Sequence, residues 1–495
     1  MKRVGNLYET MLSYPRMLEA FQGVMRDKKH KSLPGSMSFM IMQNKDFYIA
    51  EAGRILAERS FKPRKPRESY RSDKGSNKIR FIQAPAIFPD QFIHWSLILA
   101  IQPVLIKGMD QWCCASIKGR GTFYAKNFIE KCLDTSNDKP GQIPTRKKYK
   151  YCLRMDIKKF FENINRERLM ILLEQRIKDK EILDLCRKII YSVPSKTGKG
   201  LPLGYYTSQW FANFYLQAFD HKIREVLMPK YGVDKYIRYM DDMIILGSNK
   251  RKLENLMKDI DNLLRSEFGL WLKETSEVVE ITDENPIDFI GFRFTFDKTD
   301  LRPRIINHAI RANRSLYSGR FTIKKLQRFG SYNGWFMHTD TKEFQNNLPG
   351  DRKTEQHILT EMLAKKREED LNSSQYRYLV KLVEDIKTLH NETQNKDYTL
   401  ARVYPEGPRI VARSSYRFPD QDAYEEEQKR LKEEAEAKKL QPKPKKKKNN
   451  KRKNNRKPGT YQASAEQYFS DRDRESIIRD YNMEIREYEL INANS

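Results

Sequence analysis

Two adjacent carboxylates, Asp241 and Asp242, stand between short runs of β-branched and aromatic residues in the segment 236–246. Such runs predict two strands that meet at a tight turn, which exposes both acids and holds them still. Adjacent acids repel each other unless a cation lies against them, so the pattern favours a hard divalent ion, most readily Mg²⁺, bound through oxygen. A solvated hairpin turn without any ion is the alternative, and only other residues in a compatible order decide between the two.

A third carboxylate, Asp156, ends an apolar segment at residues 151–156 that predicts another strand. Helical patterns such as residues 166–192 separate it from the acidic turn, so the two strands can pair in one sheet. Three acids at one sheet edge suit two-metal phosphoryl transfer, in which one ion activates a 3′-hydroxyl and the other holds a triphosphate. Phe161 lies five positions after Asp156, where its ring could lie under the sugar of a nucleotide, or simply pack in the core.

Three further segments could contribute to a nucleotide or nucleic-acid site. Residues 70–82 predict a cation-bearing hairpin that either clamps a triphosphate or is a solvated edge hairpin. Residues 116–122 form a small basic loop before a helix, either a phosphate cradle or a connector. Residues 200–217 predict a loop and a helix, where Gly204 either lets a base pair approach the backbone closely or belongs to an ordinary helix start capped by Thr207 or Ser208. The candidate contact residues of these segments are Arg71, Lys74, Lys78, Arg80, Arg120 and Gly204.

The chain of 495 residues carries a net charge of +28, with 94 Lys and Arg against 66 Asp and Glu. Residues 441–458 hold ten of these basic residues and no acid, and the rest of the chain is basic as well. This charge predicts a polyanion partner, with a lysine-rich soluble surface as the alternative. Five cysteines without a C-x-x-C spacing argue against a disulfide framework and a structural zinc site, and no apolar run reaches transmembrane length. We therefore expect a soluble cytoplasmic protein that binds no membrane.

The distribution of apolar, charged and turn-forming residues predicts an α+β fold, with an antiparallel sheet backed by helices. Within the sheet-bearing part we expect a strand at residues 270–273 and a hairpin at 287–294. The predicted parts are a helical N-terminal segment (1–66), a segment with the cationic hairpin (67–150), the sheet-bearing part (151–300), a helical part (301–345), a helical C-terminal extension (346–440), a disordered basic linker (441–460) and a charged helical tail (461–495).

These segments, in this order, resemble the reverse transcriptases. Residues 239–242, Tyr-Met-Asp-Asp, match the Y-x-D-D box of that family, and residues 156–161 match its first acidic motif. The resemblance extends over residues 67–340. The further matches are Arg80 to the fingers arginine, Lys273 to the lysine after the palm hairpin, residues 289–292 to the primer grip, and residues 331–335 to a thumb signature of bacterial members.

The resemblance implies a right-hand polymerase with fingers (67–150), a ferredoxin-like palm (151–300) and a helical thumb (301–345). It implies an RNA-directed DNA polymerase with two Mg²⁺ ions, for which Mn²⁺ is a substitute, held by Asp156, Asp241 and Asp242. Its partners would be dNTPs, a DNA product and an RNA template such as a dedicated non-coding RNA, besides a second copy or an accessory protein. The nucleotide contacts implied are Lys74, Lys78, Arg80, Phe161, Leu203, Gly204, Gln209 and Lys273, and the nucleic-acid contacts are Arg120, Tyr239, Met240, Lys445, Lys446, Lys447 and Lys448.

Leu203 and Gly204 stand where many reverse transcriptases have Gln-Gly, and residues 207–209 read Thr-Ser-Gln. This pattern is similar to the enzymes of diversity-generating retroelements and to bacterial antiphage-defence reverse transcriptases, and the long C-terminal extension favours the second group. The bulky Phe161 resembles the steric gate that excludes a ribose 2′-hydroxyl, which implies a DNA product. Template-independent or protein-primed DNA synthesis, and a non-catalytic RNA-binding scaffold, are the alternatives.

Overall fold

A four-stranded antiparallel sheet organises the computed structural model, which describes residues 3–26, 28, 36–72, 79–317, 323–336, 338–339, 400–401, 411–412, 414 and 416–440. The strands are β1 (Arg67–Ser72), β2 (Ile79–Ala84), β3 (Tyr151–Asp156), β4 (Lys235–Tyr239), β5 (Asp242–Gly247), β6 (Glu277–Glu280), β7 (Ile287–Phe289), β8 (Phe292–Phe294), β9 (Thr299–Leu301), β10 (Leu400–Ala401) and β11 (Val411–Ala412).

The helices lie between and after these strands. They are α1 (Leu7–Met11), α2 (Tyr14–Met25), α3 (Met37–Gln43), α4 (Lys45–Ala57), α5 (Phe92–Ile106), α6 (Thr122–Leu133), α7 (Thr145–Lys148), α8 (Phe160–Asn163), α9 (Arg166–Glu174), α10 (Lys180–Ile190), α11 (Tyr206–Tyr215), α12 (Gln217–Lys222), α13 (Met228–Tyr231), α14 (Lys250–Leu263), α15 (Pro303–Tyr317), α16 (Ile323–Phe336) and α17 (Gln421–Leu440). Short π-helical turns lie at Ile87–Gln91, Ile223–Leu227 and Leu264–Phe268.

The central sheet has the strand order β4–β5–β3–β6, and every pair in it is antiparallel. Met240 and Asp241 form the two-residue turn between β4 and β5, and Met240 has a positive φ of 57°. Positive φ is the conformation that tight hairpin turns require, so the turn sets the register of the two strands. Asp156 consequently lies directly opposite Asp242. The predicted acidic turn, and its pairing with the strand that ends at Asp156, are confirmed.

Each face of the sheet covers its own hydrophobic core. Along β5, Met243 and Ile245 belong to one core, and Ile244 and Leu246 belong to the other. This alternation follows from the two-residue period of a strand. The first core also contains residues of α2, α5, α11 and α14, and the second contains residues of α6, β7–β9, α15 and α16. In the described part of the chain, helices cover the antiparallel sheet, which confirms the predicted α+β class.

Helices α1–α4 are called the N-terminal block here; α1, α2 and α4 pack on α5, and α3 packs on α4. Helix α5 is apolar around its whole circumference, as expected of a helix enclosed by others. Helix α5 also contacts α11, the helix after the glycine loop, and so joins the N-terminal block to it. The compact unit that contains these helices is Met1–Glu425, and the second unit is Glu426–Ser495.

Several predicted elements can be compared with the structure. The strands of the 70–82 hairpin are β1 and β2, while its turn lies outside the described residues; the 287–294 hairpin is β7 and β8. The strand predicted at 270–273 is wrong, because Leu272 makes only an isolated bridge with Ile157, just beyond the end of β3. The disordered basic linker predicted at residues 441–460 and the charged helical tail predicted at residues 461–495 lie outside the described part of the chain.

The five cysteines are all free and buried, in agreement with the expected absence of a disulfide framework. No helix in the described part of the chain is both long and apolar enough to cross a membrane. The domain boundaries given above stay predictions.

Candidate active site

The three carboxylates meet where β3 ends and the β4–β5 hairpin turns. Asp156 is the last residue of β3, Asp241 is in the turn, and Asp242 is the first residue of β5. The Ile157 N–H donates to the Asp241 carbonyl over 3.1 Å, which fastens the turn to the end of β3. All three acids are half-buried. The structure therefore brings together the acids that the sequence places about 85 residues apart.

The surroundings of Asp241 and Asp242 disfavour the ionised form of both acids. Burial and the neighbouring Asp156 raise the pKa of Asp241, while Lys273 and Arg80 act in the opposite direction. Burial, followed by Asp156 and Asp241, raises the pKa of Asp242 to about 8. A cluster that resists carrying its full negative charge gains most from a bound cation, because the cation removes the repulsion.

Lys273 partly neutralises this cluster. Its Nζ contacts Asp156 Oδ2, and its backbone N–H donates to the Asp156 carbonyl over 2.8 Å. The other carboxylate oxygen, Asp156 Oδ1, is buried and has no hydrogen-bond partner among the described residues. One oxygen of Asp156 is therefore open to a further ligand, and the other is held by an ammonium group.

A divalent ion fits the chemistry of these donors. Within the described ranges, no three His, Cys, Asp or Glu side chains are already arranged to hold an ion. The donors nevertheless are all carboxylate oxygens, which hard cations such as Mg²⁺ prefer, and Asp156 Oδ1 lacks a partner. Asp156 and Asp241 would hold the ion, with Asp242 beside them.

The glycine loop is docked on the cationic hairpin. The Gln83 N–H of β2 donates to the Leu203 carbonyl over 2.7 Å. Gly204 has a φ of 116°, and a Cβ at this position would lie 2.7 Å from the Gln83 carbonyl oxygen. In this structure the backbone of β2 makes the close approach to Gly204, and the base pair expected at this glycine stays a prediction. This contact fixes the strand that carries Arg80 beside the glycine loop.

The basic loop is joined to the start of α11. Ser116 Oγ donates to Gln209 Oε1 over 2.8 Å, and Arg120 Nη1 donates to the Asp110 carbonyl over 2.8 Å. The Arg120 N–H also closes the loop by donating to the Ile117 carbonyl over 2.9 Å. The side chains of Gln209 and Arg120 thus have structural partners in this state, and their roles towards nucleotide and nucleic acid stay predictions.

The other predicted site residues are placed as follows. Arg80 is exposed on β2 and acts electrostatically on Asp241. Phe161 is half-buried on α8 with its ring 5.5 Å from that of Phe160. Tyr239 is half-buried, whereas Met240 is 9% exposed and leaves little side-chain surface for a partner. The residues outside the described part are Lys74, Lys78, Lys445, Lys446, Lys447 and Lys448.

Two segments matched separately to the primer grip and the thumb are in contact. A Cβ on Gly291, in the β7–β8 turn, would lie 2.8 Å from Cζ3 of Trp335 on α16. The Arg302 N–H donates to the Gly291 carbonyl over 3.0 Å, and the Arg302 side chain pairs with Asp288. Both charges of this pair act on Asp242. The small sheet β7–β9 therefore connects the acidic cluster with α16.

A buried arginine beneath the acidic turn is a site residue that sequence reasoning missed. Arg238 is fully buried, and all five of its N–H donors have acceptors. Nε and Nη2 donate to Asp220 Oδ1 and Oδ2 over 2.8 and 2.6 Å, and Nη1 donates to Asn213 Oδ1 over 3.1 Å. Nη1 also donates to the Met240 carbonyl over 3.0 Å, and Nη2 contacts Cys113 Sγ at 3.2 Å.

Arg238 therefore ties the backbone of the acidic turn to α11 and α12, which carry Asn213 and Asp220. Tyr236 completes the network by donating its hydroxyl to Asp220 Oδ1 over 2.6 Å. The sequence did indicate a buried charge, since an arginine among the apolar neighbours of a buried strand needs a partner. Nothing in the sequence near Arg238 identified Asp220 as that partner.

Residues 74–294 match the family described as reverse transcriptase (RNA-dependent DNA polymerase). The three carboxylates lie within the residues that match this family. The matched residues contain Arg80, Asp156, the acidic turn, the glycine loop and the β7–β8 hairpin.

Two curated proteins are similar to parts of this chain. The Retron Ec73 reverse transcriptase of Escherichia coli is 31% identical over an alignment of 137 residues, and the match covers 25% of this chain and 40% of the retron protein. The putative COX1/OXI3 intron 2 protein of Saccharomyces cerevisiae is 22% identical over an alignment of 215 residues, and the match covers 31% of this chain and 25% of that protein. The chain thus spans less than half the length of these relatives.

Solved telomerase structures are also similar. The telomerase of Candida albicans, in complex with a TWJ fragment of telomeric RNA, has a TM-score of 0.36 and 14% identity, over 68% of this chain and 63% of the telomerase chain. The apo telomerase of Candida tropicalis has a TM-score of 0.38 and 13% identity, over 69% of this chain and 71% of the telomerase chain.

Proposed function

We propose that this protein is an RNA-directed DNA polymerase that copies an RNA template into DNA by two-metal nucleotidyl transfer. The observation that carries the proposal is the convergence of Asp156, Asp241 and Asp242 at one sheet edge, within residues that match a reverse transcriptase domain. Burial and the neighbouring acids raise the pKa of Asp241 and of Asp242, so these charges are costly to keep together, and a cation-dependent reaction gives them a use.

In this proposal Asp156 and Asp241 hold the metal ions, Mg²⁺ or in its place Mn²⁺, and Asp242 supports them. The ions supply activation of the primer 3′-hydroxyl and charge neutralisation on the triphosphate. Arg80 acts electrostatically on Asp241 and is therefore suited to pair with phosphate oxygens of a dNTP. Lys273 balances the charge on Asp156 before the ions bind. Arg238 holds the turn in place through the Met240 carbonyl.

Sequencing the nucleic acid that copurifies with the protein tests the function. The comparison is between the wild type and an Asp241→Ala, Asp242→Ala double variant, each before and after DNase and RNase. DNA complementary to a bound RNA, found with the wild type alone, is the expected result and would identify the template. Untemplated DNA would replace the proposal by template-independent or protein-primed synthesis, and bound RNA without DNA in either sample would replace it by a scaffold.

We further propose that the enzyme acts in the bacterial cytoplasm in antiphage defence. The support is the similarity of residues 203–209 to defence-associated reverse transcriptases, together with the long extension after α16. Phage plating on cells with the wild type or the double variant tests this role. Equal plating across a broad phage panel would count against it.

Phe161→Ala is expected to let the enzyme incorporate ribonucleotides. Phe161 is half-buried at the start of α8. The Leu201 N–H donates to its carbonyl over 2.8 Å, and this hydrogen bond holds the Phe161 backbone beside the glycine loop. Removal of the ring should lower discrimination between dNTP and NTP by about tenfold or more, equivalent to about 1.4 kcal/mol. The ratio of kcat/KM for dGTP and GTP measures it. Phe160→Leu, in the buried neighbour, is the control, and an unchanged ratio in Phe161→Ala would assign the ring to packing alone.

A further inference from the structure

The segment just before and at the start of α17 lies against the N-terminal block. We call residues 414 and 416–424 the strap. Phe418 is 4% exposed, and its ring lies 5.4 Å from the ring of Tyr14 and 5.1 Å from that of Tyr416, edge to face in both cases. Tyr424 adds a second edge-to-face contact with Tyr14 at 5.7 Å. A buried aromatic of this kind is a main source of docking energy.

Polar contacts fix the position of the strap. Asp420 accepts from the Tyr14 N–H over 3.0 Å, and so caps the first turn of α2, whose own N-cap residue Ser13 makes no side-chain capping bond. A carboxylate at a helix N-terminus is stabilising. Ser414 Oγ donates over 2.9 Å to Glu51 Oε1, on a side chain that is fully buried and paired with Arg54.

The surface of the block is shaped for this segment. Gly53 lies in the middle of α4, and a Cβ there would lie 2.4 Å from Phe418 Cζ and 2.8 Å from Tyr416 Cε1. The ring of Phe418 cannot move away easily because Tyr14 and Tyr416 pack against it. A glycine in a helix interior lowers helix stability relative to alanine, so its presence here is explained by the space that the strap needs.

We propose that α2 and α4 form a docking groove for the strap, and that the docked strap supports the N-terminal block where it packs on α5. Helix α5 also contacts α11, and Asn213 on α11 accepts from Arg238 beneath the acidic turn. The consequence for activity rests on the proposed function: a block held by the strap keeps α5 and α11 in place beneath the acidic turn during synthesis.

A double-mutant cycle on the full chain tests the docking. Gly53→Ala is expected to lower the thermal midpoint by about 2 °C or more in the wild-type background, because it displaces Phe418. In a Tyr416→Ala, Phe418→Ala background the same substitution should raise the midpoint, because the two rings nearest to the added Cβ are gone and only the helix-stabilising effect of alanine remains. Gly330→Ala in α16, where a Cβ meets nothing within 4 Å, is the matched control and should have one sign in both backgrounds. A Gly53→Ala effect of the same sign in both backgrounds would overturn the proposal.

A second measurement separates docking of the strap from the polymerase activity. Primer extension should show slower nucleotide addition for Gly53→Ala and for Asp420→Asn than for the control Gly330→Ala. If the cycle changes sign and the rates of these variants equal that of the wild type, the strap docks but does not support the site, and that part of the proposal fails. If the wild type extends no primer, the proposed function fails, while the cycle still decides whether the strap docks.

Discussion

Asp241→Asn should reduce nucleotide addition by at least about 10³-fold, which corresponds to a loss of about 4 kcal/mol of transition-state stabilisation. The amide keeps the shape of the side chain but removes the charge that holds a divalent ion beside Asp156. Single-nucleotide primer extension with excess Mg²⁺ measures the loss. The control is Asp283→Asn, which removes one charge from an exposed loop and should retain full activity. Activity within tenfold of the wild type would contradict the assignment of Asp241 as a metal ligand.

Substitution of the neighbouring Asp242 tests the repulsion within the acidic cluster by thermal stability, independently of activity. Burial together with Asp156 and Asp241 raises the pKa of Asp242 to about 8, so the folded state favours the protonated acid. The stability that this group contributes is fully present below its ordinary pKa of about 4 and is lost as pH rises through about 8. Asp242→Asn cannot ionise, so in EDTA it should melt at a higher temperature than the wild type at pH 8 to 9. The difference should shrink towards pH 5, and a lower midpoint at pH 8 would contradict the inferred repulsion.

The acidic cluster could be predicted from the sequence because its signals are local. Alternating apolar residues specify β4 and β5, and the two-residue turn sets their register, so the position of Asp241 follows from a few neighbouring residues. Asp156 required one further inference, that a strand ending in an acid pairs with that hairpin. The wrong strand at residues 270–273 also came from a local signal. The apolar run predicted a strand, but β3 ends at Asp156, so this segment has no strand to pair with and makes only the isolated bridge at Leu272.

The features that escaped prediction depend on partners far apart in the chain. Gly204 signalled a close approach, but nothing in its neighbourhood identified Gln83 as the group that approaches. The strap has no helical or strand periodicity, and Asp420 is 406 positions from the helix end that it caps. A hydrogen bond of that separation is decided by tertiary packing, which local pattern does not encode.

Arg238→Met is expected to have the largest effect on folding. It would leave Asp220, which is 1% exposed, as a buried carboxylate without its cation. Breaking one side of a buried ion pair costs roughly 3–5 kcal/mol, a large part of the stability of a typical protein. Urea unfolding measures the loss. Lys230→Met, which breaks the exposed ion pair with Asp259, is the matched control and should leave the urea midpoint nearly unchanged.

An apolar replacement of the whole network separates the two roles of Arg238. In the triple variant Arg238→Met, Asp220→Leu, Tyr236→Phe, no charge or hydroxyl of the network is left without a partner, because Asp220 is the acceptor for both other side chains. Replacing a buried ion pair by apolar residues is often neutral for stability, so the triple variant should recover most of what Arg238→Met loses.

Activity should not recover with it. The triple variant still lacks the donor to the Met240 carbonyl, which is the one contact of the network that reaches the turn carrying Asp241. A mispositioned metal ligand lowers kcat rather than dNTP binding, so we expect a stable protein with kcat reduced by about 10²-fold and KM for dNTP little changed. If kcat returned together with stability, Arg238 would serve folding alone, and the β4–β5 turn would need no support from beneath to hold Asp241 beside Asp156.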